Sequence, residues 1–500
     1  MTDSRPNVLW IMTDQHRADC LGCMGHPVVQ TPHIDRIAAD GVLFEQAFCQ
    51  SPACMASRAS VFTGRYPAAI RVRGMGVLPP QEVTTPEWFQ RAGYRTGAFG
   101  KVHLTPELWT HEKIGSDKPI LEWRTFAKEA HLTPIPTDPC KERYGFEEHV
   151  GCDDVLQGEF LAWLREMGSD LNASSPKGAV SGGPSDLYVS AYPSQLHQTT
   201  FIARKTEDFI RRQREPWFAF CSFIAPHHPF EAPADQIARY DLAHIPMPKL
   251  KGGVDGSLIP EPARHALQDM KTWNEDGIRR IVQHYLASIS LIDDSVGILL
   301  TALAETGQVD NTIIVFVSDH GEFLGNHGLI RKPSLHYDET IRVPLIIRAP
   351  KGYGGGRRVR GLVEMVDVHP TLMGLSGLTI NPGVQGIDWS GAIRDSAHIG
   401  RADIHADMYD DAARPETCFM PRGGPYMAVQ TIRTEAWKLS IYPTATSAYG
   451  QLFDLVNDAD ESRNLYADPN YRDMREQLLW RLTQRMARNI DPLPLVLSQY

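Results

Sequence analysis

The chain has 500 residues, of which 42% are hydrophobic and 22% are charged, and both fractions lie near the averages for globular proteins. This composition excludes a largely disordered chain, and the length predicts a large core-forming unit with a smaller companion. The formal net charge of -10 gives no indication of a nucleic-acid or anionic-membrane partner, so an anionic substrate needs a locally cationic pocket.

The first apolar segment, residues 8–12, is too short for the apolar region of a signal peptide and leads directly into polar residues. We therefore expect a cytoplasmic protein with no membrane partner. The eight cysteines are scattered along the chain, which predicts mostly reduced thiols. Cys20 and Cys23 form a C-x-x-C pair without a second pair at zinc-ribbon spacing, so two structural thiols are favoured over a zinc or redox site.

Apolar, β-rich segments alternate with helical ones along most of the chain. Residues 7–13 predict a buried strand that ends in Asp14. The further predicted elements are, in chain order, a helix at 32–40, a strand at 42–48, a helix at 86–91, a strand at 94–99, a helix at 204–214, a strand at 217–224, a helix at 278–305 and strands at 312–317 and 343–347. Strands separated by helices imply a largely parallel sheet whose ligands bind beyond the carboxyl ends of the strands.

Two regions depart from this alternation. Residues 104–192 are rich in Pro, Gly, Asp and Ser without a persistent period, which predicts a loop-rich insertion over the pocket. Residues 427–455 alternate as antiparallel strands do, before a helix at 471–488. We therefore predict an α/β fold, with a largely parallel central sheet sandwiched by helices in residues 1–376 and a smaller C-terminal α+β lobe with an antiparallel sheet in residues 377–500.

Cys54 begins a segment in which reactive residues are concentrated. Cys-Met-Ala-Ser-Arg-Ala-Ser at residues 54–60 is followed by Thr-Gly-Arg-Tyr-Pro at residues 63–67. A thiol just before a helix start experiences the positive end of the helix and a neighbouring guanidinium, both of which favour an anion. Taken alone, this pattern fits a buried structural cysteine equally well.

Read together, these residues resemble the nucleophile signature of the type I, formylglycine-dependent sulfatases of the alkaline phosphatase superfamily, close to the branch of arylsulfatases and phosphonate monoester hydrolases. The resemblance extends, in family order, to residues 7–14, 100–104, 226–230, 318–322, 325–328 with Lys332, and 452–465. It implies an alkaline phosphatase-like fold and the hydrolysis of aryl or alkyl sulfate monoesters, which are small molecules, with release of inorganic sulfate.

In that family the motif cysteine is oxidised after translation to formylglycine by a maturation enzyme, and the resemblance assigns this modification to Cys54. The hydrated aldehyde has two hydroxyls, of which one can attack sulfur. The other can collapse to the carbonyl and expel sulfate. A serine at this position would lack that second step.

The resemblance also implies one divalent metal ion, with calcium as the first choice and manganese or magnesium as alternatives. Its ligands would come from five residues: Asp14, Gln15, Cys54, Asp319 and His320. Asp14 and Asp319 each follow a hydrophobic strand, so a parallel sheet can bring them together at one edge. Such an ion lowers the pKa of a hydroxyl nucleophile and neutralises developing charge.

Six side chains would take part in catalysis by the same resemblance: Cys54, Arg58, Lys101, His103, His227 and Lys332. Arg58 would orient the aldehyde hydrate, and Lys101 and Lys332 would contact sulfate oxygens. His103 would assist the hydroxyl that collapses. His227, with Lys332, would protonate the departing alcohol or phenol.

Three positions depart from the commonest family pattern. Ala56 stands where proline is more usual, Gln15 where a second aspartate is frequent, and His320 where asparagine is common. The last two resemble phosphonate monoester hydrolases and phosphodiesterases of the same superfamily, and also choline-sulfatase-like members. Sulfate monoesters are the first choice because Lys101 and His103 keep the sulfatase form, and hydrolysis of phosphonate monoesters or phosphodiesters by the same nucleophile is the alternative.

A hypothesis from another class is a non-catalytic anion-binding protein built on the same fold. It predicts that Cys54 stays a thiol and that no divalent ion copurifies. The motifs do not determine the leaving group of the substrate or the oligomeric state, and a homo-oligomer is compatible with them.

Overall fold

The computed structural model of the chain describes residues 5–74, 76–79, 81–104, 144–152, 159–169, 177–179, 186–214, 216–249, 274–395, 397–410, 427–444 and 449–493. Cys140, Cys418 and most of the predicted insertion at residues 104–192 lie outside these ranges.

The described strands are, in chain order, β1 (Asn7–Thr13), β2 (Val42–Phe48), β3 (Arg95–Gly100), β4 (Glu148–Gly151), β5 (Lys177–Ala179), β6 (Leu187–Ser190), β7 (Trp217–Ser222), β8 (Phe230–Ala232), β9 (Thr312–Ser318), β10 (Arg342–Arg348), β11 (Arg357–Val359), β12 (Val363–Glu364), β13 (Ile404–Asp410), β14 (Met427–Arg433), β15 (Trp437–Ile441) and β16 (Gly450–Asp454). The α-helices are α1 (Pro32–Ala39), α2 (Cys54–Thr63), α3 (Pro67–Ile70), α4 (Thr85–Arg91), α5 (Glu159–Glu166), α6 (Gln198–Arg212), α7 (Ala234–Ile237), α8 (Glu275–Glu305), α9 (Asp338–Ile341), α10 (Val368–Leu375), α11 (Ser390–Arg394) and α12 (Arg472–Arg488).

The main sheet has the order β11-β2-β10-β9-β1-β7-β3-β4, and β12 also pairs with β2. Every pairing in this sheet is parallel except the two made by β10, which runs antiparallel to β2 and β9. All residues of β1 and β9 are buried, as expected for central strands covered on both faces. The largely parallel sheet predicted from the sequence is confirmed.

Helices cover both faces of this sheet. Consecutive side chains of β1 point to opposite faces, and they pack in two different apolar clusters. Val8 and Trp10 belong to an apolar cluster that includes residues of α2, α4 and α10. Leu9 and Ile11 belong to a second cluster with residues of α1, α6 and α8. The prediction of a sheet sandwiched by helices is therefore also confirmed.

The helix α8 is long and apolar enough to span a membrane by length and composition, with a mean hydropathy of 1.7 over its most apolar window. Within the protein, however, 72% of that window is buried. This burial identifies α8 as a core helix of the fold.

Two sequence predictions need correction. The helix predicted at 204–214 begins earlier, at Gln198, because the His197 side chain accepts a hydrogen bond from the Thr199 amide and caps it. The insertion predicted to lack a regular pattern contains β4, α5, β5 and β6 among its described residues. In α5, Phe160 and Leu164 are buried one helical turn apart, a short pattern that the surrounding polar residues obscure.

A separate antiparallel sheet, with the order β13-β14-β15-β16, lies in the C-terminal part of the chain. On one of its faces, Ile432, Leu439 and Leu452 pack with Leu478 and Leu482 of α12. The predicted antiparallel lobe is thereby confirmed. Its exact boundary at residues 376 and 377 stays a prediction.

A buried ionic contact joins this lobe to the segment that follows Lys332. The Nζ of Lys438, whose side chain is 0% exposed, lies 3.0 Å from Asp338 Oδ1 and pairs with the buried carboxylate of Glu461. The Asp338 backbone N–H donates to Glu461 Oε2 at 2.7 Å. Because Asp338 begins α9, shortly after Lys332, the lobe holds in place the chain segment that carries this lysine.

We predict that Lys438→Ala lowers the free energy of unfolding by about 3–5 kcal/mol, because it leaves the Glu461 carboxylate buried without its cation, whereas Asp338 keeps its pair with Arg433. The matched control is Lys249→Ala, which removes an exposed pair with Asp460 and should cost at most about 1 kcal/mol. Urea unfolding monitored by tryptophan fluorescence measures both. Equal effects of the two substitutions would contradict the proposed contribution of the buried pair.

Candidate active site

Two buried carboxylates meet at the carboxyl edge of the main sheet. The parallel register of β1 and β9 pairs Thr13 with Ser318, so the next residues along each strand are Asp14 and Asp319. The Asp319 N–H donates to the Thr13 carbonyl at 3.2 Å and continues the ladder by one residue. Both aspartates have no exposed surface. The predicted convergence of the two strand ends is thus present in the structure.

The neighbouring strand ends add cationic and polar groups. Gly100, at the end of β3, pairs with Ser222 of β7, and the Lys101 N–H donates to the Ser222 carbonyl at 3.1 Å. A side chain at residue 100, where φ is 95°, would clash with that carbonyl, so this position requires glycine. As a result, Lys101 Nζ lies 3.2 Å from Asp14 Oδ2.

The helix α2 delivers Cys54 to this edge. Cys54 is the first residue of the helix, and every residue of α2 is buried. Its Sγ lies 2.7 Å from Lys332 Nζ, 3.2 Å from His320 Nε2 and 3.9 Å from Asp14 Oδ1. Burial, assisted by the charge of Asp14, raises the pKa of the Cys54 thiol to about 12, so an unmodified thiol here keeps its proton at neutral pH.

Arg58, one helical turn after Cys54, connects the strand ends. Its Nε donates to Asp319 Oδ2 at 2.8 Å, and one terminal nitrogen donates to the Lys101 carbonyl at 2.6 Å and to Ser222 Oγ at 3.0 Å. The other terminal nitrogen lies 3.5 Å from Asp14 Oδ2. The planar guanidinium therefore reaches the ends of four strands at once, and a lysine cannot reproduce this geometry.

The cluster has the composition of a metal site. The ligand atoms of Asp14, Cys54, Asp319 and His320 all lie within 4.8 Å of one another, and all four residues are buried. His320 Nδ1 is 2.9 Å from the Gly321 carbonyl, which fixes the ring and leaves Nε2 directed at the cluster. Burial lowers the pKa of His320 to about 4, so its imidazole is neutral and Nε2 carries a lone pair. These donors fit a divalent cation.

The positive charges around the cluster determine the ionisation state of Asp14. Burial alone would raise the pKa of this carboxyl group, but Lys101 and the other positive charges around it hold the pKa well below its usual value. Asp14 therefore stays ionised, as a metal ligand must.

His227 and Lys332 form a contacting pair beside Cys54. Lys332 Nζ lies 3.1 Å from His227 Nε2 and 2.7 Å from His320 Nε2. His227 Nδ1 is 2.5 Å from the His228 carbonyl, which holds the ring with Nε2 directed at the lysine. Burial and the charge of Lys332 lower the pKa of His227 well below its usual value. The two side chains are placed to share a proton at the nucleophile.

His103 lies within electrostatic reach of the same charges. Its backbone is left-handed, with φ of 53°, and its Nδ1 is buried without a hydrogen-bond partner among the described residues. Burial, followed by Lys101 and Arg58, lowers the pKa of His103 well below its usual value. His103 is therefore a neutral imidazole in this structure, with one buried nitrogen available for a hydrogen bond.

Gln15 contacts one of the metal donors through its backbone, but its side chain contacts residues outside the donor set. Its backbone N–H donates to Asp319 Oδ1 at 3.1 Å, whereas its side-chain nitrogen donates to Glu322. His228, which has no predicted role, stacks on His227 with ring centroids 4.1 Å apart and lies 3.2 Å from the Gln15 amide.

Sequence reasoning assigned no role to several groups that support the cluster. Ser57 Oγ donates to the Asp319 carbonyl at 2.5 Å, and Ser222 accepts from Arg58. Glu322 belongs to the motif at residues 318–322, but its contact with Gln15 could not be predicted from the sequence. The one available signal was position, because Ser222 lies near the carboxyl end of the strand predicted at 217–224, at the edge where active sites collect.

The sequence matches two protein-family models. Residues 6–378 match the family model described as Sulfatase. Residues 325–488 match the model described as N-sulphoglucosamine sulphohydrolase, C-terminal. The chain is 31% identical to an arylsulfatase of Clostridium perfringens over 496 residues, which cover 95% of this chain and 93% of that protein.

Two solved structures are similar over nearly the whole chain. The phosphonate monoester hydrolase of Agrobacterium radiobacter superposes with a TM-score of 0.78 at 27% identity, covering 97% of this chain and 96% of the other. The phosphonate monoester hydrolase of Silicibacter pomeroyi gives a TM-score of 0.79 at 25% identity with the same coverage.

We predict that Arg58→Lys lowers the free energy of unfolding by about 2 kcal/mol, because a lysine keeps the charge but loses most hydrogen bonds that the Arg58 guanidinium donates. Ser222→Ala removes one of those contacts and should cost about 1 kcal/mol. Thermal and urea unfolding of the two variants measure the difference. A lysine variant as stable as the wild type would show that the fork does not hold the strand ends together.

Proposed function

This chain belongs to the sulfatase family, and from this premise we propose that it hydrolyses aryl or alkyl sulfate monoesters through an oxidised Cys54, releasing inorganic sulfate. The observation that carries the proposal is the position of Cys54 Sγ, 2.7 Å from Lys332 Nζ and inside a buried group of metal donors. The arrangement combines a nucleophile position, a cationic pocket and a divalent-ion site in one place.

Oxidation of Cys54 to formylglycine by a maturation enzyme is part of this proposal. When present, formylglycine supplies a hydroxyl nucleophile, and the divalent ion neutralises the charge on the oxygens around it. The donor set supports this modification, because a thiol is a soft ligand whereas calcium, our first choice, and magnesium or manganese prefer oxygen. Replacing the sulfur by oxygen makes the set uniformly hard except for His320.

The chain's own residues bind and orient the sulfate group. Lys101 and Lys332 approach the cluster from two sides and provide the positive charge that the whole chain, at -10, does not. Both are held by neighbouring groups before substrate arrives, so little reorganisation is required when charge develops on the sulfate oxygens. Arg58 keeps its fork on Asp319 and fixes the nucleophile helix against the strands.

Proton transfer falls to the groups around the nucleophile. His227 and Lys332, 3.1 Å apart, are placed to protonate the departing alcohol or phenol. The resemblance gives His103, whose buried Nδ1 has no hydrogen-bond partner among the described residues, the role of taking the proton from residue 54 during the release of sulfate.

We further propose a cytoplasmic location and leave a homo-oligomer as a hypothesis to be tested by light scattering. The six cysteines among the described residues are all free thiols, which is compatible with a reducing compartment. Cell fractionation tests the location.

A phosphonate monoester or phosphodiester hydrolase that uses the same residues is the second candidate function. One observation favours it, since the two structural neighbours described above are phosphonate monoester hydrolases. The resemblance at Gln15 and His320 is compatible with it, although the same resemblance extends to choline-sulfatase-like members.

We predict that peptide mass spectrometry of active protein shows, at residue 54, the loss of sulfur and two hydrogens and the gain of oxygen. Cys54→Ala should lower kcat/KM for an aryl sulfate by at least about 10³-fold, because the covalent route is lost. Cys54→Ser should release one equivalent of phenol and then stop, since a sulfated serine lacks the carbonyl exit. Cys49→Ala, at a second buried cysteine, is the control and should keep full activity. Active protein with an unmodified thiol would exclude the proposal.

We also predict a higher kcat/KM for an aryl sulfate monoester than for the matched aryl phosphonate monoester and phosphodiester, because Lys101 and His103 keep the form that resembles the sulfatases. Fully converted protein loaded with one metal, first calcium and then manganese, is used for all three substrates. A preference of several orders of magnitude for a phosphorus substrate would favour the second candidate instead.

A further inference from the structure

The backbone of Gln15 is fixed beside the metal donors. Its φ of 65° lies in the left-handed region, which side chains other than glycine rarely adopt and which is enriched at functional sites. Its N–H donates to Asp319 Oδ1 at 3.1 Å, and its carbonyl accepts from the Tyr285 hydroxyl at 2.6 Å. The same hydroxyl accepts from the Arg17 N–H at 2.9 Å, so α8 clamps the turn from outside.

The side chain of Gln15 is oriented by a single decisive contact. Its Nε2 donates to Glu322 Oε2, while Glu322 Oε1 accepts from the Leu324 N–H at 2.9 Å. Glu322 has no exposed surface. His228 Nδ1 lies 3.2 Å from both the nitrogen and the oxygen of the amide, so it does not distinguish the two orientations. The Glu322 carboxylate does distinguish them, because it accepts hydrogen bonds and therefore selects the NH₂ group of the Gln15 amide.

We propose that Glu322 is a positioning residue that turns the Gln15 carboxamide so that Oε1 is the atom offered to the divalent ion. The inference rests on the proposed function, since it presupposes the metal site at Asp14 and Asp319. An amide oxygen is a ligand for hard cations, whereas an amide nitrogen repels them through its hydrogens. Glu322 thus selects one of the two orientations of the Gln15 carboxamide, the one in which the oxygen can bind the ion.

The experiment is a titration of metal-free protein with Mn²⁺ by calorimetry, with all variants at the same extent of Cys54 conversion. Glu322→Gln keeps the shape but can present either a donor or an acceptor to Gln15, so we expect the affinity for Mn²⁺ to fall by about 10-fold or more. In a Gln15→Ala background the same substitution should have no further effect, because the residue acts through the Gln15 amide.

Two further variants sharpen the test. Glu339→Gln removes a carboxylate of the same segment, one that contacts Asn326 at 2.8 Å and His327, and should leave the affinity unchanged. The exchange Gln15→Glu with Glu322→Gln restores a donor at residue 322 facing an acceptor at residue 15. It should recover at least the wild-type affinity even if Glu322→Gln alone folds poorly.

The inference is overturned if Glu322→Gln binds Mn²⁺ as tightly as the wild type, or if it weakens binding equally with and without Gln15. Failure of the exchanged pair to recover affinity would have the same meaning. A wild-type protein that binds no Mn²⁺ and no Ca²⁺ gives a different result, because it removes the metal site and the proposed function together.

Discussion

The parallel pairing of Thr13 with Ser318 is the constraint on which the rest of the site depends. It places Asp14 and Asp319 side by side in the protein interior, where two carboxylates without counter-charges would be strongly destabilising. Arg58 contacts both, and Lys101 contacts one. The same pair of carboxylates that demands these cations also attracts a divalent ion. The requirement for charge compensation therefore explains both the buried guanidinium and the metal donors.

Charge pairing also joins the C-terminal lobe to the segment that carries Lys332. Lys332 supplies a further positive charge at Cys54, and the chain just after it is held by the ionic contact of Asp338 with Lys438. One family model matches residues 325–488 and so covers both this segment and the lobe that holds it. The lobe thus contributes to the position of a site residue although its own strands contribute none of the predicted catalytic side chains.

The sequence predicted the strands best, because β1 is a continuous apolar run bounded by polar residues and β2 is a mostly apolar run that begins directly after Gly41. It located α6 with less accuracy, since the start of that helix depends on the His197 cap rather than on apolar spacing. The motif residues were found, yet their contacts were not. The direction of the Gln15 side chain depends on Glu322, more than three hundred positions away, and such pairings arise only from the register of the sheet.

Choice between sulfate and phosphonate substrates cannot depend on charge alone, since a sulfate monoester and a phosphonate monoester each carry a single negative charge. They differ in shape and hydrogen bonding, because a carbon substituent on phosphorus replaces one terminal oxygen of the sulfate. A pocket that donates to all terminal oxygens disfavours that substituent, as each donor facing carbon loses its acceptor. Lys332 Nζ lies 2.7 Å from Cys54 Sγ, and Lys101 Nζ lies 3.2 Å from the neighbouring Asp14 Oδ2, so donors in these positions give a physical reason for the proposed sulfate preference.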